Sequence, residues 1–438
     1  MSSDIKTVYD PVHGAITVGG TYLKILDRRE MQRLRGVKQL GLGYFVFPGA
    51  NHTRFEHCLG TYCIAGRMSE AIGLSEEDTA AVRTAALMHD ICHAPFSHTL
   101  EGVMEEATGL DHMELARNLI TGKRRYYPEK DEDLYGGTEP IGSILEDAGI
   151  DTQEVCDLIA FPESTERDLG LMKLDGPVDH FPSKDYIHQI IHGPVDADQM
   201  DYLLRDAHYT GVMMGKIDLD RLLTTMRVVN DRICIQRSGA PAAEGLMVSR
   251  ALMYSSVYFH PTAKIIERMV VKAVLGAEDM DLSEIYLWDD SEMIHRLVEY
   301  GGMPSHMMRQ ILGRRFYKRA LTVSEQDTSE DLVSLLTGYV GMRKRLELEA
   351  EIAAKAGLDP SEVAVITAPV SSMKSEAKIG KTDVSILDPD GKVRSLTRSS
   401  PIAKALQSRE PYGWTVTVAC PEVNKEAVAK AATKVLGL

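Results

Sequence analysis

Residues 82–98 read VRTAALMHDICHAPFSH, an apolar run that ends in a cluster of polar side chains. Its apolar residues recur at three and four, which is the pattern of an amphipathic helix, and Ser75 followed by three acidic residues predicts where that helix begins. Three histidines and one aspartate then fall within residues 89–98. A buried imidazole beside a buried carboxylate is unfavourable unless the two groups are paired or bind a metal. We therefore expect a functional polar site where this helix ends.

The composition is that of a globular protein, and it excludes several classes. The chain has 438 residues, of which 44% are hydrophobic and 26% are charged. A net charge of −15 argues against a general affinity for nucleic acid, which requires a basic face. No segment approaches the roughly 18 apolar residues of a membrane helix, and the N-terminus lacks the apolar core of a signal peptide. We therefore expect no membrane partner. Six scattered cysteines without a CxxC pair indicate a reduced, cytoplasmic protein.

The spacing of apolar residues predicts a mostly helical chain. From about residue 21 to about residue 357, apolar side chains recur mainly at three and four. The last helix of this region is long, about 328–356. RICIQ at 232–236 predicts a short strand, and the polar, Gly- and Pro-rich stretches 122–140 and 163–186 predict loops.

Both ends of the chain have β character. The first twenty residues contain the short runs TVYD and AITV. After Pro360 the runs VAVITAP, DVSILDPDGKVRSL and WTVTVACP are β-rich, the sequence DPDGK from Asp388 predicts a hairpin turn, and NKEAVAKAATKVL predicts a final helix. We expect a mainly α protein, with a helical core in residues 1–327 and a C-terminal helix and small α+β lobe in residues 328–438.

Further histidine and aspartate residues lie on other predicted helices. His57 lies within HTRFEHCLG, and GPVDADQMDYLLRD contains Asp196, Asp198 and Asp201 at a helix start. A lone histidine in an apolar segment is usually a hydrogen-bonded core residue, and an HD dipeptide alone is uninformative. The ordered set of His57, the HD pair at 89–90 and Asp198 is a stronger signal. Imidazoles and carboxylates together suit a divalent first-row metal.

This order of residues resembles the HD-domain metal-dependent phosphohydrolases. Longer motifs are similar to the dNTP triphosphohydrolase branch of that family, the sterile-alpha-motif and HD-domain dNTPases: DPVHG, RREMQRLRGVKQLG, QLGLGYFVFPGANHTRFEHCLG, LMHDICHAPFSH and VDADQMDYLLRD. The resemblance covers about residues 5–320, and we expect no sterile-alpha-motif domain. It implies an HD-domain helical core and hydrolysis of a dNTP by water at the α-phosphorus, which yields a deoxynucleoside and triphosphate.

The resemblance also implies one divalent metal ion, which could be Mn, Fe, Mg, Zn, Co or Ni. The implied ligands are His57, His89, Asp90 and Asp198. Asp198 matches the VDxDxxDY frame of the family better than its neighbours do. We favour Asp196 and Asp201 as helix caps and helix-start charges, because acidic groups stabilise the N-terminal end of a helix.

The same comparison implies three catalytic residues. His112, in DHMELA, is the implied general acid for the leaving 5′-oxygen. His93 would lie beside the phosphates, and Glu101, where the family commonly has aspartate, would orient the catalytic imidazole. The alternative interpretation of His112 is a histidine on a helix surface beside the N-cap residue Asp111.

Substrate contacts carry over in the same way. The resemblance implies that Arg54 contacts the α-phosphate, Tyr202 the phosphates and Arg250 the γ-phosphate. It implies that Gln39 and Asp206 contact the 3′-hydroxyl and that His98 faces the base. Tyr258 and Leu40 would pack where a 2′-hydroxyl would lie, and Tyr254 belongs to the same pocket. Two positions depart from the family: Gln199 stands where a basic residue is expected, and Tyr254 where a histidine is expected. The alternative for Tyr254 and Tyr258 is ordinary helix packing at i, i+4.

An activator site is also implied. In relatives, nucleotides bind between subunits and order a tetramer, so we expect a homodimer or homotetramer, with dNTP as substrate and GTP or a dNTP as activator. The matching residues here are Lys6, Asp27, Gln32 and Arg35, while Tyr9 replaces an expected asparagine. The alternative is an exposed surface pattern without a ligand.

Two other functions stay open at this point. The first is an HD phosphodiesterase or nuclease that acts on nucleic acid or a cyclic nucleotide. The second is a nucleotide-sensing scaffold with little turnover, which the substitutions at Gln199 and Tyr254 keep in view.

Overall fold

The computed structural model describes residues 5–125, 139–160, 184–324, 327–339, 341–367, 383–407 and 415–438. Helices dominate these residues, and the strands form small sheets of two, four and three strands. The expected mainly α fold with a small C-terminal α+β region is therefore confirmed. No described helix is both long and apolar enough to cross a membrane.

The α-helices are bounded as follows: α1 Thr21–Leu26, α2 Arg29–Arg33, α3 Arg54–Ile72, α4 Glu76–Met88, α5 Glu101–Thr108, α6 His112–Ile120, α7 Ile141–Asp147, α8 Thr152–Ile159, α9 Asp185–His192, α10 Ala197–Thr210, α11 Leu219–Thr225, α12 Ala240–Met253, α13 Pro261–Leu275, α14 Asp290–Tyr300, α15 Gly302–Leu312, α16 Glu330–Gly338, α17 Met342–Ala356, α18 Leu396–Ser399, α19 Pro401–Gln407 and α20 Lys425–Val435. A π-helical segment, Tyr254–Tyr258, directly follows α12.

The strands are β1 Ile5–Asp10, β2 Gly14–Gly19, β3 Met226–Val229, β4 Arg232–Gln236, β5 Lys318–Val323, β6 Ala364–Thr367, β7 Ser385–Leu387, β8 Val393–Ser395 and β9 Val416–Cys420. β1 and β2 form an antiparallel hairpin. The second sheet has the order β3-β4-β7-β8, and the third has the order β5-β9-β6. The predicted strand RICIQ and the predicted DPDGK hairpin are confirmed as β4 and the β7–β8 turn.

Local sequence signals fix the helices that carry the site. Thr53 and Glu56 form a capping box at the start of α3, and Gly73 ends that helix in the left-handed conformation at φ 72°. The Ser75 side chain accepts a hydrogen bond from the backbone N–H of Asp78, so the predicted N-cap of α4 is confirmed. Because α4 and α10 both pack against α3, the last turn of α4 and the first turn of α10 face one region of α3.

The prediction of one long helix over residues 328–356 is wrong. Two helices, α16 and α17, occupy this stretch. Gly341 has φ 98°, which a helical residue cannot adopt, and it begins a new helix. Most of the two predicted loops lies outside the described residues, at 126–138 and 161–183.

Two hydrophobic clusters share the core. The larger cluster unites helices α1 to α15 with residues of β6, β7 and α19, and the smaller cluster includes Val323, Leu348 and Val418. β5 lies before residue 327 and pairs with β9, which lies far beyond it. The division into 1–327 and 328–438 stays a prediction, but one sheet joins residues from both of its sides.

Candidate metal centre and active site

The four predicted metal ligands come together where three helices meet. His57 belongs to α3, His89 follows the last residue of α4, and Asp198 lies in the first turn of α10. The Oδ1 atom of Asp198 lies 2.9 Å from Nε2 of His57 and 3.6 Å from Nε2 of His89. Asp90 completes the group, with carboxylate oxygens 3.6 Å and 3.3 Å from the same two nitrogens.

The chemistry of this group fits a divalent metal. The Nδ1 atom of His57 donates to Oδ2 of Asp201 at 2.7 Å, and Nδ1 of His89 donates to the carbonyl of Ala86 at 2.9 Å. These bonds leave the lone pair of each imidazole on Nε2. Both Nε2 atoms are buried and have no hydrogen-bond partner, which is unfavourable unless a cation binds them. His57, His89 and Asp90 therefore can hold one metal ion, and Asp198 lies within reach.

Asp90 also contacts an arginine that retains an unused donor. Nη1 of Arg54 donates to Asp90 at 2.5 Å, and Nε of Arg54 donates to the Ser97 hydroxyl at 2.9 Å. Burial raises the pKa of the Asp90 carboxyl, but Arg54, His89 and His93 together outweigh this effect and hold the pKa well below its usual range. Nη2 of Arg54 is buried without a partner, so one N–H group is free to bind an anion beside the metal ligands.

Glu101 and three histidines form the next layer of the site. Oε1 of Glu101 lies 2.6 Å from Nδ1 of His112, and Oε2 lies 2.9 Å from Nδ1 of His98. The rings of His93 and His112 stack with centroids 4.2 Å apart, and Nε2 of His93 lies 3.1 Å from Asp90. The predicted catalytic residues are thus connected to the metal ligands through contacts. Asp111 caps α6 as expected, and His112 is the first residue of that helix.

Family models match this chain in two places. The HD domain model matches residues 54–159, and the HD-associated region model matches residues 217–438. An uncharacterized protein of Methanocaldococcus jannaschii is 32% identical over 432 residues, which cover 95% of this chain and 80% of that protein. The chain belongs to the HD-domain phosphohydrolase family.

Two further likenesses extend this result. The human deoxynucleoside triphosphate triphosphohydrolase SAMHD1 is 30% identical over 293 residues, which cover 63% of this chain and 45% of the human protein. The crystal structure of a phosphohydrolase from Bacteroides thetaiotaomicron shares the fold, with a TM-score of 0.68 at 22% identity, and the match covers 96% of this chain and 100% of that one. HD phosphohydrolases are metal-dependent hydrolases, in agreement with the donor set described above.

Polar and aromatic side chains surround Asp206, which lies on α10 eight residues after Asp198. Its Oδ1 lies 2.8 Å from Nε2 of His52, and its Oδ2 accepts a hydrogen bond from the Tyr258 hydroxyl at 2.7 Å. The backbone N–H of Gln39 donates to the carbonyl of His52 at 3.0 Å. Oε1 of Gln39 is buried without a partner. Gln39 and Asp206, which were predicted to bind the same hydroxyl, are thus both joined to His52, and Leu40 follows Gln39 in the core.

The π-helical segment after α12 carries the predicted tyrosines. The ring of Tyr258 lies 5.2 Å from that of Tyr254 and 5.9 Å from that of Tyr202, both at steep angles. The Arg250 guanidinium lies 5.5 Å from the centre of the Tyr254 ring. The three tyrosines and Arg250 therefore form one wall, and π-helical turns of this kind are frequent at functional sites.

The predictions for the aspartates of α10 had different outcomes. Asp196 caps α10, with Oδ1 accepting from the N–H of Gln199 at 2.7 Å, as expected. The interpretation of Asp201 as a helix-start charge is wrong, because its side chain is fully buried and accepts from His57, His13 and Arg205. Asp198 and Asp201 are one helical turn apart, so both reach α3.

Sequence reasoning missed four residues behind the metal ligands: Asp10, His13, Asp201 and Arg205. The DPVHG motif contains two of them and VDADQMDYLLRD the other two, so these motifs were the available signal. At the expected activator site, Nε of Arg35 donates to Gln32 at 2.8 Å. Lys6 on β1 and Asp27 after α1 are exposed.

Proposed function

We propose that this protein is a metal-dependent dNTP triphosphohydrolase. One observation carries the proposal: Asp90 contacts the metal-binding histidines, Arg54 and His93, whose ring stacks on His112. A metal site, a free anion donor and an imidazole held by a carboxylate therefore lie in one continuous group. These are the groups that phosphoester hydrolysis requires.

The reaction needs a nucleophile, charge stabilisation and a proton for the leaving group. His57, His89, Asp90 and Asp198 would hold the metal, which would supply a water of lowered pKa and polarise a phosphoryl oxygen. Arg54 binds an oxygen of the α-phosphate through its free Nη2 group. The water gives up one proton to solvent and its oxygen forms a bond to the α-phosphorus, the bond from phosphorus to the 5′-oxygen breaks, and the triphosphate product keeps the oxygen of the water.

His112 protonates the leaving 5′-oxygen. Oε1 of Glu101 lies 2.6 Å from Nδ1 of His112, and this contact stabilises the imidazolium and directs Nε2 to the substrate. Burial lowers the pKa of His93 well below its usual range, as do the nearby Arg54 and His112 charges. His93 therefore stays neutral, packs against the His112 ring and orients Asp90.

The remaining predicted residues recognise the rest of the nucleotide. Gln39 and Asp206 bind the 3′-hydroxyl, since each has a buried acceptor, and His52 holds the Asp206 carboxylate in place. The other assignments are Leu40 and Tyr258 against the 2′-position, Tyr202 and Arg250 on the phosphates, Tyr254 in the same pocket and His98 facing the base. A guanine nucleotide at Lys6, Asp27, Gln32 and Arg35, between subunits of a homo-oligomer, completes the proposal.

Product analysis tests this function. Purified protein is incubated with Mn²⁺ and each dNTP, singly and with GTP, and the products are separated by ion-exchange chromatography. We expect a deoxynucleoside and triphosphate, absent in His89→Ala and unchanged in His306→Ala, a matched control at an exposed histidine on α15. A nucleoside monophosphate with diphosphate would contradict displacement of the 5′-oxygen of the deoxynucleoside from the α-phosphorus. No product under any condition would favour the scaffold.

A further inference from the structure

In the N-terminal hairpin, the first strand is mostly exposed, whereas one side chain of the turn is buried. Ile5 and Tyr9 on β1 are 64% and 84% exposed, whereas the His13 side chain at the turn is 4% exposed. Oδ1 of Asp10 accepts from the backbone N–H groups of Val12 and His13 at 2.9 and 2.8 Å. The turn is therefore rigid, and it carries a histidine into the helical core.

His13 meets the carboxylate that orients a metal ligand. Its Nε2 lies 2.6 Å from Oδ1 of Asp201, and Oδ2 of Asp201 accepts from Nδ1 of His57 at 2.7 Å. Arg205 holds the same group from α10, since Nε donates to Asp201 at 2.9 Å and Nη1 donates to Oδ2 of Asp10 at 2.7 Å. Two residues of the hairpin thus contact the pair that lies behind His57.

Packing leaves Asp201 little freedom to move. Asp201 and Arg205 are fully buried. A methyl group on Gly60 of α3 would lie 1.8 Å from Oδ1 of Asp201, so the backbone of α3 lies directly against this carboxylate. If His13 is lost, Nη2 of Arg205 at 3.0 Å is the remaining donor to Oδ1 of Asp201, and the carboxylate can rotate toward it. Rotation here would break the bond to His57.

We propose that His13 is a positioning residue of the metal centre, which holds Asp201 so that Asp201 keeps Nε2 of His57 on the metal. The hairpin is then a structural part of the HD centre although it precedes the HD domain in the chain. The inference rests on the metal site and not on the identity of the substrate. Losing an outer partner of a metal-ligating histidine typically weakens metal binding 10- to 100-fold.

Two amide variants of different reach test the proposal. In His13→Gln the side-chain nitrogen replaces Nε2, whereas in His13→Asn the shorter side chain does not reach Asp201. The Mn²⁺ dissociation constant of each full-length, metal-stripped protein is measured by electron paramagnetic resonance of free Mn²⁺. Thr17→Ala, on the exposed face of β2, is the control within the hairpin. Circular dichroism verifies that each variant is folded.

We expect His13→Asn to raise the dissociation constant at least tenfold, and His13→Gln and Thr17→Ala to stay within about threefold of the wild type. Equal Mn²⁺ affinity of His13→Asn and wild type would overturn the proposal. An equal loss in both amide variants would also overturn it, since a hydrogen bond from the replaced nitrogen would then not be the cause. His89→Ala distinguishes the metal site itself, because Mn²⁺ binding at wild-type affinity in that variant would place the ion elsewhere.

Discussion

A buried carboxylate, Glu349 on α17, connects the helical core to the C-terminal lobe. Its Oε1 accepts from Nε of Arg268 at 2.8 Å and from the N–H of Val365 on β6 at 2.8 Å, and its Oε2 accepts from Nζ of Lys272 at 2.7 Å. Glu349 is fully buried, and both cations of α13 are at most 5% exposed. Arg345 adds a further cation. Burial, together with the nearby Arg268, lowers the pKa of Arg345 to about 10. One carboxylate thus balances three cations.

Glu349→Gln keeps the shape of the side chain and removes this balancing charge. Removal of one partner of a buried ion pair costs about 3–5 kcal/mol, because the remaining charges stay in a medium of low dielectric. Glutamine retains one acceptor oxygen, so we expect the lower end, about 3 kcal/mol of unfolding free energy. Lys272 retains the carbonyls of Pro360 and Val363, which limits the loss further.

Equilibrium unfolding in urea measures the effect. Glu347→Gln is the matched control, since Glu347 lies on the same helix but is exposed, and it should change the free energy by less than about 0.5 kcal/mol. A loss below about 1 kcal/mol in Glu349→Gln would refute the reasoning and show that the cations relax into water. Separate transitions of core and lobe would instead show that the network is the main connection between them.

Four further predictions follow from individual contacts. Glu101→Gln should lower kcat by about 10²-fold or more with little change in KM, because the amide no longer stabilises the His112 imidazolium; steady-state kinetics check this, and an unchanged kcat would exclude His112 as the acid. His52→Ala should raise KM for a dNTP about tenfold but leave that for a 2′,3′-dideoxynucleotide unchanged, because Asp206 loses the partner that holds it in place to accept from the 3′-hydroxyl; equal effects on both would contradict this role. Removal of the metal by a chelator should lower the melting temperature, since ion at a hundredfold excess over its Kd contributes about 2.7 kcal/mol, and His89→Ala should show no such shift. Burial raises the pKa of Asp290 to about 6, so its contribution of about 3 kcal/mol to the free energy of unfolding is complete below about pH 4 and is lost as the pH rises through 6. Urea unfolding of Asp290→Asn at a series of pH values should lack this dependence on pH.

The helix pair that carries the HD signature was predictable because its signals are local. Capping residues, apolar spacing and the polar end of α4 all lie within about 40 residues, from Thr53 to Asp90. The break between α16 and α17 was also visible, as two glycines within four residues, and was overlooked. The pairing of β5 with β9 was not predictable, because the two strands are almost 100 residues apart and either could have paired elsewhere.

The role of Asp201 could not be read from its own neighbourhood. Three aspartates at a helix start look alike in sequence, although only Asp196 is the cap. What distinguishes Asp201 is His13, 188 positions away, and a glycine on α3 that leaves space for the carboxylate. A polar side chain in a short motif that makes no turn or cap bond of its own, such as the histidine of DPVHG, is therefore a useful sign of a distant buried partner.

The chain carries a negative net charge, although the proposed substrate is an anion. Charge compensation within the site accounts for this combination. Four carboxylates of the site have a cationic or donor partner: Asp90 with Arg54, Asp201 with Arg205, Asp206 with His52 and Glu101 with His112. Asp198 is a proposed ligand of the metal. Burial raises the pKa of Asp196 well above its usual range, as does the nearby Asp198 charge, and both effects favour the neutral form of this group. In the proposed function, a divalent ion, Arg54 and Arg250 would add positive charge to this site although the chain carries −15. Such a local charge would attract a phosphate ligand while the rest of the acidic surface repels it, which would favour a small nucleotide over a polymeric nucleic acid.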